Sequence, residues 1–204
     1  MIMKISEIVA KRPALLFLVL VAVMAVLLIL LNIVYLPDQI AHSMGYTGRL
    51  HLFVLDMTFT ITPAQAYSLL AAYGGQGRLA YAAMIGLFDF VFPFLYGSFL
   101  AMGLWLVART LPLAPRTRRI VGVIPSIPYL ATLADWLENV CILVLLFSYP
   151  QYLVPIVVIK NILTGIKFLV SGISLAGLLL GAGYLLLRRI FLRRKVLQVD
   201  SQEK

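Results

Sequence analysis

The chain has 204 residues, of which 62% are hydrophobic and 12% charged, and a mean hydropathy of +1.01. That excludes a water-soluble fold, in which about a quarter of the residues carry charge. The net charge of +9 comes from 17 Lys and Arg against 8 Asp and Glu, a balance that also suits nucleic-acid binders, but the basic residues cluster between long apolar runs and act there as topology signals. A single cysteine, Cys141, excludes a disulfide framework and CxxC redox chemistry.

A membrane-spanning helix needs about 20 mostly apolar residues, because the hydrocarbon core is about 30 Å thick and a helix rises about 1.5 Å per residue. Four stretches meet that demand, at about 13–36, 79–108, 120–147 and 153–187. They predict an all-α membrane protein, a four-transmembrane-helix bundle forming a single domain. The first stretch follows Lys4, Lys11 and Arg12, and Ala41-His42-Ser43 loosely resembles a signal-peptidase site. Its apolar run exceeds the usual length of a signal core, so it reads as an uncleaved anchor. Within it only Asn32 is polar, which suits a packing wall.

Residues 37–77 are expected to form a small extracytoplasmic cap. From Phe53 to Ile61 apolar residues alternate with Val54, Asp56, Thr58 and Thr60, the period of an extended segment. Thr62-Pro63-Ala64-Gln65 then supplies an N-cap, a proline at the first helical position and a capping-box glutamine for a short helix ending at Gly74-Gly75. Tyr67, Tyr73 and Tyr81 suit an interfacial aromatic belt.

Positive residues favour the cytoplasmic side. Arg109, Arg116, Arg118 and Arg119 lie between the second and third spans, and Arg188, Arg189, Arg193, Arg194 and Lys195 open a basic tail, 188–204, after the fourth. The expected location is a bacterial inner (plasma) membrane with both termini cytoplasmic. The tail reads as a topology signal before it reads as a lipid-binding element.

Ionisable residues inside spans cost several kcal/mol each unless paired or hydrated, so they are the most informative letters of the sequence. They are Asp89, Asp135, Glu138, Lys160 and Lys167. Counting about 1.5 Å per residue from the outer helix ends places them at depths of about 10 to 21 Å, a single layer. Lys160, Thr164, Lys167, Ser171 and Ser174 form one stripe on the fourth span; Thr132, Asp135, Glu138 and Asn139 stack on the third. On the second, Ile85, Asp89, Phe92, Tyr96 and Phe99 share a face, and Pro93 removes the amide that would bond the Asp89 carbonyl, which predicts a kink. Lower on the fourth span, Gly177 and Gly181 form a GxxxG contact.

These stripes suggest a buried polar pocket in the outer half of the bundle. The partner implied is a membrane lipid or a hydrophobic small molecule, such as an isoprenoid-like amphiphile, and not nucleic acid. Phe88, Phe92, Tyr96, Phe99 and Trp136 would hold its apolar body, while Thr132, Asn139, Lys160, Thr164 and Lys167 complete the binding set. Asp135 and Glu138 are the candidate acid and base for isomerase-like proton transfer, with Asp89 across from them, one acid kept neutral by desolvation and the other ionised beside lysine. The rival readings are a proton or ion relay and an accessory subunit of a larger membrane complex. No cofactor or metal is called for: His42 and His51 both lie in the outer loop, no HxxxH or cysteine cluster is present, and Gly74-Gly75-Gln76-Gly77 follows a helix as a C-cap and hinge, not as a phosphate loop. Cys141 reads as an inert helix residue.

Asp89-Phe90-Val91-Phe92-Pro93-Phe94-Leu95-Tyr96-Gly97 and Asp135-Trp136-Leu137-Glu138-Asn139, with Gly77-Arg78 upstream, resemble a group of uncharacterised bacterial four-span integral membrane proteins. The resemblance covers most of the chain from Leu55 to Lys167 and implies the four-span architecture but no activity. In type of site the polar-cored bundle is also loosely similar to the sterol-isomerase and sigma-2-receptor membrane fold, whose buried acids face an amphiphilic ligand.

Overall fold

The computed structural model describes residues 17–19, 21–23, 25–26, 42, 55, 58, 60–111 and 114–202. Its elements are α1 (Pro63–Met84), a π-helical turn (Ile85–Asp89), α2 (Phe92–Thr110), α3 (Pro115–Val121), a 3-10 turn (Ile124–Ser126), α4 (Pro128–Ser148) and α5 (Val154–Gln202). Every regular element among the described residues is helical. Among the described residues, three helical stretches are long and apolar enough to cross a membrane: Pro63–Thr110, Ile124–Ser148 and Val154–Phe191. Most of the first predicted span lies outside the described residues. Those described within it are helical, and Phe17 stacks on Phe99 with ring centroids 5.2 Å apart.

Several expected boundaries shift for identifiable reasons. The capping box forms as predicted, with the Gln65 amide donating to Thr62 Oγ1 at 3.3 Å and the Thr62 amide donating to Gln65 Oε1 at 3.0 Å. The short helix does not end at Gly74-Gly75, however. Gly74 takes a left-handed φ of 64°, a kink that glycine tolerates, and α1 resumes and runs to Met84, so the 79–108 span has a long helical lead-in. Arg78 Nη1 donates to the Leu70 carbonyl at 2.9 Å, four residues before the kinked position, and so repairs the ladder there.

Most of the predicted extended segment lies outside the described residues, and no strand occurs among those described. The Thr58 amide bonds the Leu55 carbonyl at 3.2 Å, which is a turn. The third stretch begins at Ile124 and its α-helix at Pro128, not near 120, since Pro125 and Pro128 each remove an amide and disfavour helix just before them. At the other end α5 continues as helix through the basic region to Gln202.

Partner contacts fix the directions. Gly103 and Gly177 meet Leu178 and Leu104, and Gly181 meets Val107, so α2 and α5 run parallel. Bonds from Asn139 to Asp89, Trp136 to Phe90 and Thr132 to Pro93 make α4 antiparallel to α2. The predicted GxxxG glycines therefore do seat a neighbouring helix.

The interior has two apolar clusters. One joins α1 to the α4–α5 hairpin through Leu70, Tyr81, Ile85, Ile142, Leu145 and Val157. The other joins α2 to α5 through Leu100, Leu104 and Leu178. The three tyrosines expected at an interface are buried instead. Tyr67 donates to the Gln151 carbonyl and accepts from the Leu153 amide at 2.6 Å, Tyr73 lies edge-on to Tyr81, and Tyr81 accepts from the Leu55 amide at 2.8 Å. The Tyr67 and Tyr81 hydroxyls each serve backbone groups, a role their spacing alone does not reveal.

Candidate functional site

Between the two apolar clusters lies a layer of buried polar side chains drawn from α4 and α5. The stripe predicted on the fourth span points inward: Lys160, Thr164, Lys167 and Ser174 are buried, while Ile159, Ile162, Ile166 and Phe168 are exposed. On α4, Thr132, Asp135, Glu138 and Asn139 are buried as predicted. Because α4 and α5 pack antiparallel, the two stripes meet in register.

The charges form a branched ladder. Glu138 Oε2 lies 2.6 Å from Lys167 Nζ, while Glu138 Oε1 accepts from Thr164 Oγ1 at 2.5 Å and lies 3.5 Å from Lys160 Nζ. Lys160 Nζ also donates to the Thr58 carbonyl at 2.7 Å. At the other end Lys167 Nζ reaches Asp135 Oδ1 at 3.3 Å, and Asp135 Oδ2 accepts from the Tyr96 hydroxyl at 3.1 Å. With all four groups ionised, two acids and two bases cancel, so the layer is neutral as a unit. Burying charge is tolerable only under such pairing.

Exposure is uneven along this ladder. Glu138 and Lys160 side chains are 0% and 1% accessible, against 11% for Asp135 and 10% for Lys167. Glu138 is held by two lysines and a threonine; Asp135 has a single lysine contact, to Lys167, which lies closer to Glu138. The two acids predicted as a pair therefore occupy different settings, one locked and one at the accessible edge.

The second-span motif plays a different part. The π turn and the following Phe90-Val91 turn interrupt the helix, as the proline predicts, and Pro93 has no amide to offer the Asp89 carbonyl. Three side chains of α4 attend to this break: Asn139 Nδ2 donates to the Asp89 carbonyl at 2.8 Å, Trp136 Nε1 to the Phe90 carbonyl at 2.9 Å, and Thr132 Oγ1 to the Pro93 carbonyl at 2.8 Å. The close approach requires Gly97, where an added Cβ would collide with Thr132 Oγ1. Thr132, Trp136 and Asn139, predicted as ligand contacts, are thus committed to this joint, and Asp89 enters it through its main chain while its side chain is half-buried. Asn139 Oδ1 stays buried without a hydrogen-bond partner among the described residues.

The face of α2 is also turned by one position. Its most buried residues are Pro93, Gly97, Leu100 and Leu104, leaving Phe92, Tyr96 and Phe99 half-buried beside them. Each added residue rotates a helix by about 100°, and the interruption supplies that offset. Phe92 remains next to Tyr96 at 5.8 Å between centroids, whereas Phe88 packs against the α1 cluster and Phe99 against Phe17, so the five aromatics do not form one surface. Asn161 is a polar contributor the stripe pattern omits. It donates to the Ile61 carbonyl at 2.8 Å and accepts from the Ile61 amide at 3.4 Å, tying the segment before α1 to α5 beside Lys160. An amide adjoining a buried lysine was its only sequence signal.

No protein-family model, curated protein or solved structure matches the chain.

Proposed function

We propose that the protein is a four-span membrane bundle, with both termini cytoplasmic, that binds the polar head of a small lipid or isoprenoid-like amphiphile at the Asp135–Lys167–Tyr96 edge of its charged layer. The observation carrying this reading is the asymmetry of the ladder: only its Asp135 and Lys167 end keeps about a tenth of each side chain accessible. A polar head entering there exchanges with the 3.3 Å Lys167 contact and the 3.1 Å Tyr96 contact without disturbing the locked Glu138. Half-buried Phe92 and Tyr96 offer apolar surface for the attached tail. Asp135 is the group positioned for proton exchange with a bound molecule, while Glu138 holds Lys167 in place. Intramembrane charges at the interior of a bundle are functional by default, which adds support.

The test is copurification. Wild-type protein in mild detergent is expected to retain a lipid by mass spectrometry that Lys167→Ala loses, while Ser98→Ala, outside the layer, keeps it. Retention unchanged in Lys167→Ala sinks the binding reading. A second reading, a proton relay, draws on the unbroken chain of contacts from Thr58 through Lys160, Glu138, Lys167 and Asp135 to Tyr96. Proton flux into liposomes that disappears with Asp135→Asn would favour that reading instead.

A further inference from the structure

A second candidate site lies at the opposite, arginine-bearing end of the bundle. A cavity of about 340 Å³ opens between the end of α2 and the loop before α4, lined by Trp105, Ala108, Arg109, Gly122 and Pro125. Its size falls at the lower end of the range for small-ligand sites. The Arg109 guanidinium sits over the Trp105 ring, its carbon 4.6 Å from the centroid. Arg109 in the last turn complements the helix dipole, which is its ordinary role. Two features exceed that role.

First, the positive charge has no acidic partner among the described residues. From Phe90 to Ala134 the chain contains no Asp or Glu, and in that stretch stand Arg109, Arg116, Arg118 and Arg119. Arg109, Arg116 and Arg119 are exposed, and none forms an ion pair among the described residues. Second, the cavity is amphipathic: Trp105, Ala108 and Pro125 give it an apolar wall, and the guanidinium supplies a planar fork of donors suited to two phosphate oxygens. It also lies where α2 ends, the level at which an apolar span meets head groups, and tryptophan and arginine are both favoured there.

We propose that this cavity binds the phosphodiester head of an anionic membrane lipid, with Arg109 holding the phosphate and Trp105 orienting the guanidinium and covering the first carbons of the acyl chains. A soluble phosphate would use the same arginine but gain nothing from the apolar wall. The site is separate from the charged layer and does not depend on its function.

The test uses the full chain in detergent, incubated with equal amounts of phosphatidylglycerol and phosphatidylcholine of identical chains and read by native mass spectrometry. Both lipids offer a phosphodiester, but the choline cation of phosphatidylcholine neutralises its own phosphate and competes with Arg109, so phosphatidylglycerol adducts are expected to exceed phosphatidylcholine adducts about tenfold, roughly 1.4 kcal/mol. Arg109→Gln is expected to erase most of that preference, Trp105→Phe to weaken it, and Arg188→Gln with Arg189→Gln to change it little. Arg109 is exposed, so its variant is expected to keep the wild-type melting temperature. Equal retention of the two lipids, or undiminished preference in Arg109→Gln, overturns the proposal. Stabilisation by inorganic phosphate equal to that by phosphatidylglycerol assigns the site to a soluble anion and overturns it as well.

Discussion

Glu138 is the residue on which the charged layer turns. It contacts both lysines and Thr164 while its side chain is wholly buried. Replacing it with glutamine keeps the shape but leaves Lys160 and Lys167 with one carboxylate, Asp135, between them. The expected loss is about 3–5 kcal/mol, the range found when one partner of a buried pair is removed. Adding Lys160→Met to Glu138→Gln is expected to recover part of it, because the uncompensated charge is then gone. Denaturation of the single and double variants in detergent measures both numbers, and a double variant no more stable than the single would show that Lys160 is neutralised in another way. Asp135→Asn is expected to cost less stability than Glu138→Gln, since Asp135 is more accessible and shares its lysine. The sequence marks both acids equally, because spacing reports depth and face but not how many partners converge on a carboxylate.

Among the elements, the break between α1 and α2 and its repair from α4 form one unit. Pro93 creates the need and Asn139 answers it, so the two positions should be energetically coupled. Asn139→Val in the native background leaves the Asp89 carbonyl without its 2.8 Å donor, at a cost of about 1–3 kcal/mol. The amide oxygen of Asn139, which has no partner among the described residues, offsets part of that cost when it is removed. In a Pro93→Ala background the new amide can serve the carbonyl, and the Asn139→Val penalty is expected to shrink by about 0.5–3 kcal/mol. Strict additivity in the double-mutant cycle would refute the coupling. The kink itself was legible from Pro93, and the inward stripes of α4 and α5 from their helical period. What the sequence did not display was that Thr132, Trp136 and Asn139 serve backbone carbonyls of another helix, because a carbonyl that accepts from a distant side chain has no letter of its own. The same applies to Arg78 at Leu70, where only Gly74 hinted at a broken ladder.

For the whole molecule, the placement of charge remains the main statement about orientation. Of 17 basic residues, those outside the buried layer concentrate before residue 13, between α2 and α4, and after Leu187. The proposed orientation, with both termini cytoplasmic, predicts that cysteines introduced at Thr117 and Ser201 in a Cys141→Ser chain resist an impermeant thiol reagent in intact cells and react after permeabilisation. Labelling of Thr117→Cys in intact cells would reverse the assignment. For the three membrane-length helical stretches among the described residues, the C-terminal ends lie close to those read from hydropathy. The starts of the second and third moved, since the helix before the second continues through the Gly74 kink and the prolines before the third delay its α-helix.

The joint between α2 and α4 also bears on how the chain is made. When the Ile85–Thr110 stretch leaves the ribosome, the carbonyls of Asp89, Phe90 and Pro93 have no donor from α4, because Thr132, Trp136 and Asn139 follow Thr110 in the chain and have yet to emerge. Hydrocarbon offers no substitute for those donors. The half-built protein is therefore in its least membrane-compatible state just after its second apolar stretch emerges, and remains so until the fourth helix arrives. The joint is complete only when α4 has packed against α2.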